Sequence, residues 1–329
     1  MTHETSDWRP TASIEALAAR AQLLARVREF FARRGVLEVE TPVLSAAGST
    51  DPHLHSFVAA SRAPGDAAAP RFLHTSPEFA MKRLLAAGSG SIYQICRVFR
   101  AGEAGRRHNP EFTLLEWYRV GFDYQALMDE VEALATEVLR ERRDLDAPER
   151  VSYRDAFLRY AGLDPHAATP ADFAAAAAAH GVSTSGIPEA DGGAWRDLLL
   201  THLVEPHLGR NRLTFLYDYP ADAAALARVR PGTPPVAERF ELYLDGIELA
   251  NGFQELTDAA EQRERFERDR ARRRAHGLPD VPHDERLLRA LAAGLPPCSG
   301  VALGLDRLVM VALGARSIAE VIAFPAGRA

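Results

Sequence analysis

The side chains best able to do chemistry in this 329-residue chain fall in three clusters. The first is Arg100, followed by a glycine-containing loop that bears Arg106, Arg107 and His108, with Phe112 a little further on. A loop between two antiparallel strands can fold over a polyphosphate, its guanidinium groups meeting phosphate oxygens in fork geometry. Arginines at a loop tip can equally be solvated, and Phe112 suits either a core position or a platform for adenine. The second cluster is Glu241, Glu248 and Glu255, set at seven-residue steps. Along one strand an odd step would face successive members to opposite sides, but across the Asp245-Gly246 turn Glu241 and Glu248 can lie opposite each other on one face. Paired carboxylates repel unless a cation sits between them, and magnesium bound to substrate phosphates is the usual hard-ligand answer. A solvated hairpin face is the alternative. The third cluster is "GVALGLDRLVM", where Gly300 and Gly304 permit close backbone approach before a helix start and Arg307 points back toward a ligand. Its Asp306-Arg307 pair also fits a local salt bridge.

Those residues need elements to hold them. Ser13 can cap a helix whose apolar positions Ile14, Leu17, Ala21, Leu24, Val27 and Phe31 recur at helical spacing, with Gly35 as its stop. "VLEVETPVL" reads as a short strand ended by Pro42, and residues 59–70 as a hairpin loop. "SPEFAMKRLLAAG" opens a helix at Ser76-Pro77 and closes it at Gly88. "SIYQICRVFR" and "EFTLLEWYR" are antiparallel partners around the polar loop 101–109, with Leu115 and Trp117 pointing into the core. Residues 122–208 read as mostly helical, "DFAAAAAAHG" being a clear short helix. Sheet signals return with "RLTFLYDYP" and "RFELYLDGIELANGF", where Asp245-Gly246 between alternating apolar runs marks a hairpin. A charged helix, "EQRERFERDRARRR", reads as a solvated face with i,i+4 pairs. A helix near 284–293, the strand "CSGVALG" and the helix "LDRLVMVALG" complete an α+β domain, an antiparallel sheet flanked by helices.

Composition narrows the function classes. A net charge of −6 with pI near 6.0 gives no electrostatic case for general nucleic-acid binding. No apolar segment approaches membrane-spanning length, and "MTHETSDWRP" is not a signal peptide. Cys96 and Cys298 sit in apolar surroundings and read as free buried thiols of a cytoplasmic protein.

In their order, these pieces resemble the three signature motifs of class II aminoacyl-tRNA synthetases. "FFARRGVLEVETPVL" resembles motif 1, "FRAGEAGRRHNPEFTLLEWY" motif 2 and "GVALGLDRLVM" motif 3, while "RHNPEFT" and "ELANGFQEL" are similar to the lysyl type. The likeness spans about residues 15–325. It implies one catalytic domain over 1–329 with a helical insertion near 145–235, and dimerisation through motif 1. No stretch reads as an anticodon-binding domain. The architecture therefore resembles the stand-alone branch of the lysyl family, whose members acylate a lysine of elongation factor P in place of tRNA. The implied reaction uses ATP and Mg²⁺ to activate (R)-β-lysine or lysine as an acyl-adenylate, with elongation factor P as the protein partner.

The resemblance also implies residue roles. Arg100 would hold the α-phosphate and neutralise charge growing there, with Ala101, Gly102 and Glu103 beside it. Arg107, His108 and Asn109 would steady the outer phosphates and the ribose side of ATP. Phe112 would stack on adenine, with Arg307 on its other face or near the γ-phosphate, and Leu249 and Gly304 would line the nucleotide. Glu241 and Glu248 would hold magnesium, and Arg100, Glu248 and Arg307 would be the catalytic set. Ser76, Pro77, Glu78, Tyr118, Asn251, Glu255 and Ala302 would line the amino-acid pocket, which the far end of the motif 2 strand, Glu116 and Tyr118, would reach. A distal ammonium there is compensated by Glu78 and Glu255, about 4 kcal/mol per close pair at an effective dielectric near 20. Two positions depart from the lysyl pattern. Gly102 stands where a glutamate is usual, with Glu103 one residue later as its substitute, and Ala302 stands where the lysyl motif 3 has glycine. A methyl-scale change tunes preference by about 1–3 kcal/mol.

Overall fold

The computed structural model describes residues 8–60, 70–188 and 191–329, so most of the loop expected at 59–70, and the start of the amino-terminal stretch, lie outside the described residues. The chain divides into two compact units: Met1–Gly121 with Thr257–Cys298 and Ala302–Ala329, and Phe122–Leu256 with Ser299–Val301.

The first unit opens with α1 (Ile14–Ala32), β1 (Leu37–Glu38), β2 (Leu44–Ser45), β3 (Val58–Ala59), β4 (Arg71–Leu73), α2 (Glu78–Ala86), β5 (Ile92–Phe99) and β6 (Glu111–Val120). Ser13 caps α1 as its sequence predicts, its hydroxyl accepting the Ala16 N–H at 3.1 Å. "VLEVETPVL" yields less strand than expected. Only Leu37–Glu38 pairs, parallel to β5, and beyond Pro42 the chain contributes Leu44–Ser45 to a separate sheet ordered β2-β4-β3. β5 and β6 pair antiparallel from Ile92↔Tyr118 to Phe99↔Glu111. Alternation sends Phe112, Leu114, Glu116 and Tyr118 to one face and Thr113, Leu115 and Trp117 to the other. Trp117 is fully buried, with its ring 5.4 Å from that of Phe31 on α1. β6 thus keeps Glu116 and Tyr118 on the face away from α1.

The second unit contains α3 (Tyr124–Leu139), β7 (Asp146–Ser152), α4 (Tyr153–Tyr160), α5 (Pro170–Ala179), α6 (Gly192–Leu199), β8 (Arg212–Pro220), β9 (Val229–Arg230), β10 (Val236–Leu244) and β11 (Ile247–Gln254). Phe157, Phe173, Trp195, Leu199 and Tyr243 anchor its core. α5 is held by a capping box between Thr169 and Asp172. The helical reading of 122–208 missed β7, which pairs parallel with β8 as the last strand beyond it. Pro148 and the charges of "DAPERVS" hide its pattern, and the register shift falls between Asp146 and Glu149, where an edge strand tolerates proline. The Asp245-Gly246 hairpin forms as expected, both residues at positive φ (52° and 67°).

One expectation about that hairpin is corrected. Glu248 lies opposite Tyr243, as the two-residue turn with Leu244 opposite Ile247 requires, and Glu241 lies opposite Asn251, because the register shifts between Leu242 and Tyr243 and leaves Leu249 unpaired in the ladder. The extra residue changes the parity of β11. It brings Glu248 and Asn251, three apart, to the same face as Glu241.

The first unit resumes with α7 (Ala259–Ala275), α8 (Glu285–Gly294), β12 (Cys298–Gly304, its residues 299–301 counted with the second unit) and α9 (Leu305–Leu313). α7 is more than a solvated face. Arg265 pairs with Glu261 one turn away, but Arg273 is buried and donates to the carbonyls of Asp51 and Pro279. Cys298 is buried, Cys96 half-buried, and neither is in a disulfide. Among the described residues no helix is long and apolar enough to cross a membrane. Helices flanking mostly antiparallel strands make the fold α+β, as its sequence predicts.

Candidate active site

In the first unit, β5 ends at a turn that carries Arg100, Ala101, Gly102 and Glu103. Gly102 is at φ +86°, the left-handed region that favours glycine. The Arg100 guanidinium lies 5.1 Å from the centroid of the half-buried Phe112 ring. It donates to the Thr75 carbonyl at 3.3 Å and stands 3.7 Å from the Glu103 carboxylate. A carboxylate is therefore beside Arg100 even though position 102 has no side chain.

Further round the loop, the Arg307 guanidinium at the start of α9 approaches His108 Nε2 at 2.6 Å and the Arg107 carbonyl at 3.4 Å. Burial first, and then the Arg307 charge, hold the His108 imidazole below its ordinary value. It is neutral at pH 7, so Nε2 accepts from Arg307. Gly304 is the residue from which α9 starts, and Ala302 is half-buried in β12. Asn109 is committed to the chain itself: its amide donates to the Glu111 carbonyl at 2.6 Å and accepts from Ala326 N–H at 3.0 Å.

Asp306 does not make the local salt bridge with Arg307 that its position allowed. It is buried, pairs with Arg20 of α1 and accepts the Thr113 N–H of β6 at 2.8 Å, while Arg20 donates to the Thr113 hydroxyl at 2.8 Å. The motif 2 and motif 3 segments are thereby tied to α1 at one point.

The same unit joins Ser76, Pro77 and Glu78, at the start of α2, to the far end of β6. Pro77 is the cap position, and Ser76 Oγ accepts the Glu78 N–H at 3.0 Å. The Ser76 hydroxyl donates to Glu116 at 2.7 Å, and the Tyr118 phenol donates to its other oxygen at 2.7 Å. Burial, and then the neighbouring Glu78 charge, push the Glu116 carboxyl up to about 7. Glu78 itself carries an ion pair at 2.6 Å to the buried ammonium of Lys82. Sequence reasoning missed Lys82. The signal was a lysine between the apolar positions Met81 and Leu85, one turn after a glutamate.

In the second unit the hairpin face gathers Glu241, Tyr243, Glu248 and Asn251. Glu241 is buried and accepts from Arg239 at 2.5 Å and from the Tyr243 phenol at 2.6 Å. Arg239 also donates to the Asn251 side chain at 3.2 Å and lies 4.4 Å from the centroid of the Tyr219 ring. Arg239 was likewise missed, although it precedes Glu241 by two residues on the same strand face. Glu255 is buried just past β11, in an antiparallel bridge to Ala227. Among the described residues no group of three or more His, Cys, Asp or Glu side chains forms a metal site, so two carboxylates and an amide oxygen are what this face offers a hard cation.

An α+β catalytic fold with an arginine over an aromatic platform and an arginine at the start of its last helix defines a class, and the chain belongs to it: the class II tRNA synthetases of the D, K and N group, whose family model matches residues 1–328. Within that class the chain is 53% identical over 327 residues, 99% of each chain, to the elongation factor P–(R)-β-lysine ligase of Salmonella typhi. It is 54% identical, with the same coverage, to the protein of that name from Yersinia enterocolitica serotype O:8.

Proposed function

We propose that this protein is an ATP-dependent ligase that activates (R)-β-lysine, or lysine, and transfers it to the ε-amino group of a lysine on elongation factor P. The observation that carries the reading is end-to-end identity of more than half with ligases of that name, with no large gap on either side. In the first step the amino-acid carboxylate attacks the α-phosphorus of ATP, the bond to the β-phosphate oxygen breaks, and pyrophosphate leaves. In the second, the protein amine attacks the acyl carbon, AMP leaves, and the amine loses a proton to form the amide.

Arg100 neutralises charge growing on the α-phosphate, and Phe112, already paired with that guanidinium, offers its ring to adenine. Arg307, with His108 as its neutral acceptor, serves the outer phosphates. Glu103 takes the place of the carboxylate missing at Gly102. The Glu78–Ser76–Glu116–Tyr118 chain receives a distal ammonium, with Ala302 of the same unit serving the amino acid, and Asn251 and Glu255 keep the amino-acid roles that the resemblance implies. A magnesium ion fits the hairpin face chemically: Glu241 and Glu248 are hard oxygen donors, and Glu241 already sits against a cation, Arg239. When bound, it supplies charge screening for the phosphates of ATP. The protein works as one catalytic domain and as a homodimer in the cytoplasm.

The test is ATP–pyrophosphate exchange with α- and β-lysine, followed by transfer of labelled amino acid to elongation factor P or to tRNA. Exchange with a lysine isomer and labelling of elongation factor P is the expected result. Labelling of tRNA and not of elongation factor P would overturn the reading.

A further inference from the structure

Lys82 is only 1% exposed, and none of the roles above uses it. Lysine is almost never this buried unless it is paired. Its ammonium donates to Glu78 Oε1 at 2.6 Å, one helical turn back on α2. From Glu78 a chain of contacts runs through the backbone N–H to Ser76 Oγ at 3.0 Å, and from the Ser76 hydroxyl to Glu116 at 2.7 Å. Tyr118 closes the chain on the second Glu116 oxygen at 2.7 Å. The groups facing Glu116 are Ser76, Glu78 and Lys82 from α2 and its start, Gln94 and Cys96 from β5, and Tyr118 from β6. Lys82 is the cation among them.

A carboxylate as buried as Glu116, beside a second carboxylate, would take up a proton at neutral pH without a compensating charge. We propose that Lys82 is a positioning residue for amino-acid recognition, fixing the Glu78 side chain and favouring the ionised form of Glu116. Glu78, Glu116 and Lys82 together carry one excess negative charge when both carboxyls are ionised. The substrate half of this inference rests on the lysine-ligase reading; the ionisation half does not. Burial and the Glu78 charge raise the Glu116 carboxyl to about 7, and the Lys82 charge opposes that rise. Loss of the lysine charge must therefore raise it further, and loss of the Glu78 charge must lower it.

Two measurements decide it. In protein carrying ¹³C-labelled glutamate carboxyls, the signal absent from Glu116→Gln should titrate near neutrality. It should move to higher pH in Lys82→Met, stay close to the parent in Lys82→Arg, and move to lower pH in Glu78→Gln. The KM for lysine in the exchange assay should rise in Lys82→Met at neutral pH, about tenfold for each unit by which the pH lies below the displaced inflection. It should return toward the parent value as the pH is raised. A purely structural role for Lys82 would change KM by the same factor at all pH values. An unmoved Glu116 titration in Lys82→Met and Glu78→Gln overturns the proposal; if Lys82→Met does not fold, Glu78→Gln decides alone by the direction of its shift. Absence of exchange with any lysine isomer would sink the ligase reading, while the carboxyl titration would still decide the role of Lys82.

Discussion

Replacing Arg20 by leucine should destabilise the first unit more than replacing its partner Asp306 by asparagine. The two side chains form an ion pair whose members differ in burial: the Arg20 side chain is 13% exposed, that of Asp306 1%. Thr113 joins them, its hydroxyl accepting from Arg20 and its N–H donating to Asp306, each at 2.8 Å. Removing Arg20 strands a buried carboxylate with one amide donor, which costs roughly 3–5 kcal/mol. In Asp306→Asn the side-chain oxygen still accepts the Thr113 N–H, and the guanidinium at the solvent edge can turn toward water. The cost is then a lost charged hydrogen bond, about 1.5–3 kcal/mol. Urea unfolding followed by circular dichroism would read both, and thermal midpoints should fall by about 2–4 °C per kcal/mol. The double change Arg20→Leu with Asp306→Leu should recover part of what Arg20→Leu loses, since no buried charge is left unpaired. Equal losses in the two single variants, or a double variant no more stable than Arg20→Leu, would refute the assignment of the energy to a stranded charge. Because Asp306 precedes Arg307, the KM for ATP should also rise in the folded variants.

Backbone and loop geometry set two further outcomes. Gly209→Ala should lose several kcal/mol of stability, because Gly209 is at φ +71° and an added Cβ would lie 2.6 Å from Leu244 Cα, backbone that cannot swing aside; a urea midpoint within experimental error of the parent would count against this packing. Glu103→Gln should raise the KM for ATP several-fold with little effect on the KM for lysine, since the Glu103 carboxylate lies 3.7 Å from Arg100, and Gly102→Glu should not restore it, because position 102 holds a left-handed backbone at φ +86°; recovery of ATP affinity in the Glu103→Gln, Gly102→Glu double variant would show the opposite.

What the sequence made legible were features set by local pattern. Ser13 caps α1, Asp245-Gly246 turns the hairpin, and "RLTFLYDYP" and "CSGVALG" are strands over those very residues. Alternation along β6 likewise separates Trp117 in the core from Glu116 and Tyr118 in the candidate site. What stayed hidden depends on register or on partners distant along the chain. The seven-residue spacing left Glu241 and Glu248 able to lie opposite each other, but the two-residue turn puts Glu248 opposite Tyr243, and one unpaired residue, Leu249, puts Asn251 opposite Glu241. No periodicity announces a bulge. Asp306 read as a neighbour of Arg307 because adjacency is all a sequence displays, whereas its charge is answered by Arg20 from the first helix. β7 was concealed by Pro148 and its charges, which an edge position tolerates and a pattern search penalises.

The missed residues have a common physical cause. Lys82 pairs with Glu78, Arg239 with Glu241, and Arg20 with Asp306, and each cation is mostly buried. A carboxylate placed to meet a cationic ligand must be ionised before that ligand arrives. Burial alone would protonate it, and repulsion between neighbouring carboxylates would push them apart. An internal cation solves both problems, at the cost that a ligand must share or displace it. This explains why Glu78 and Glu241 are already engaged while each neighbours a second acidic group, Glu116 and Glu248, on its own face. Searching a sequence for acidic site residues finds half of each such arrangement. For Glu78 and Glu241 the other half is a lysine or arginine four or two residues away on the same helix or strand face, for Asp306 it is Arg20 on the first helix, and in each case the cation keeps the first half charged.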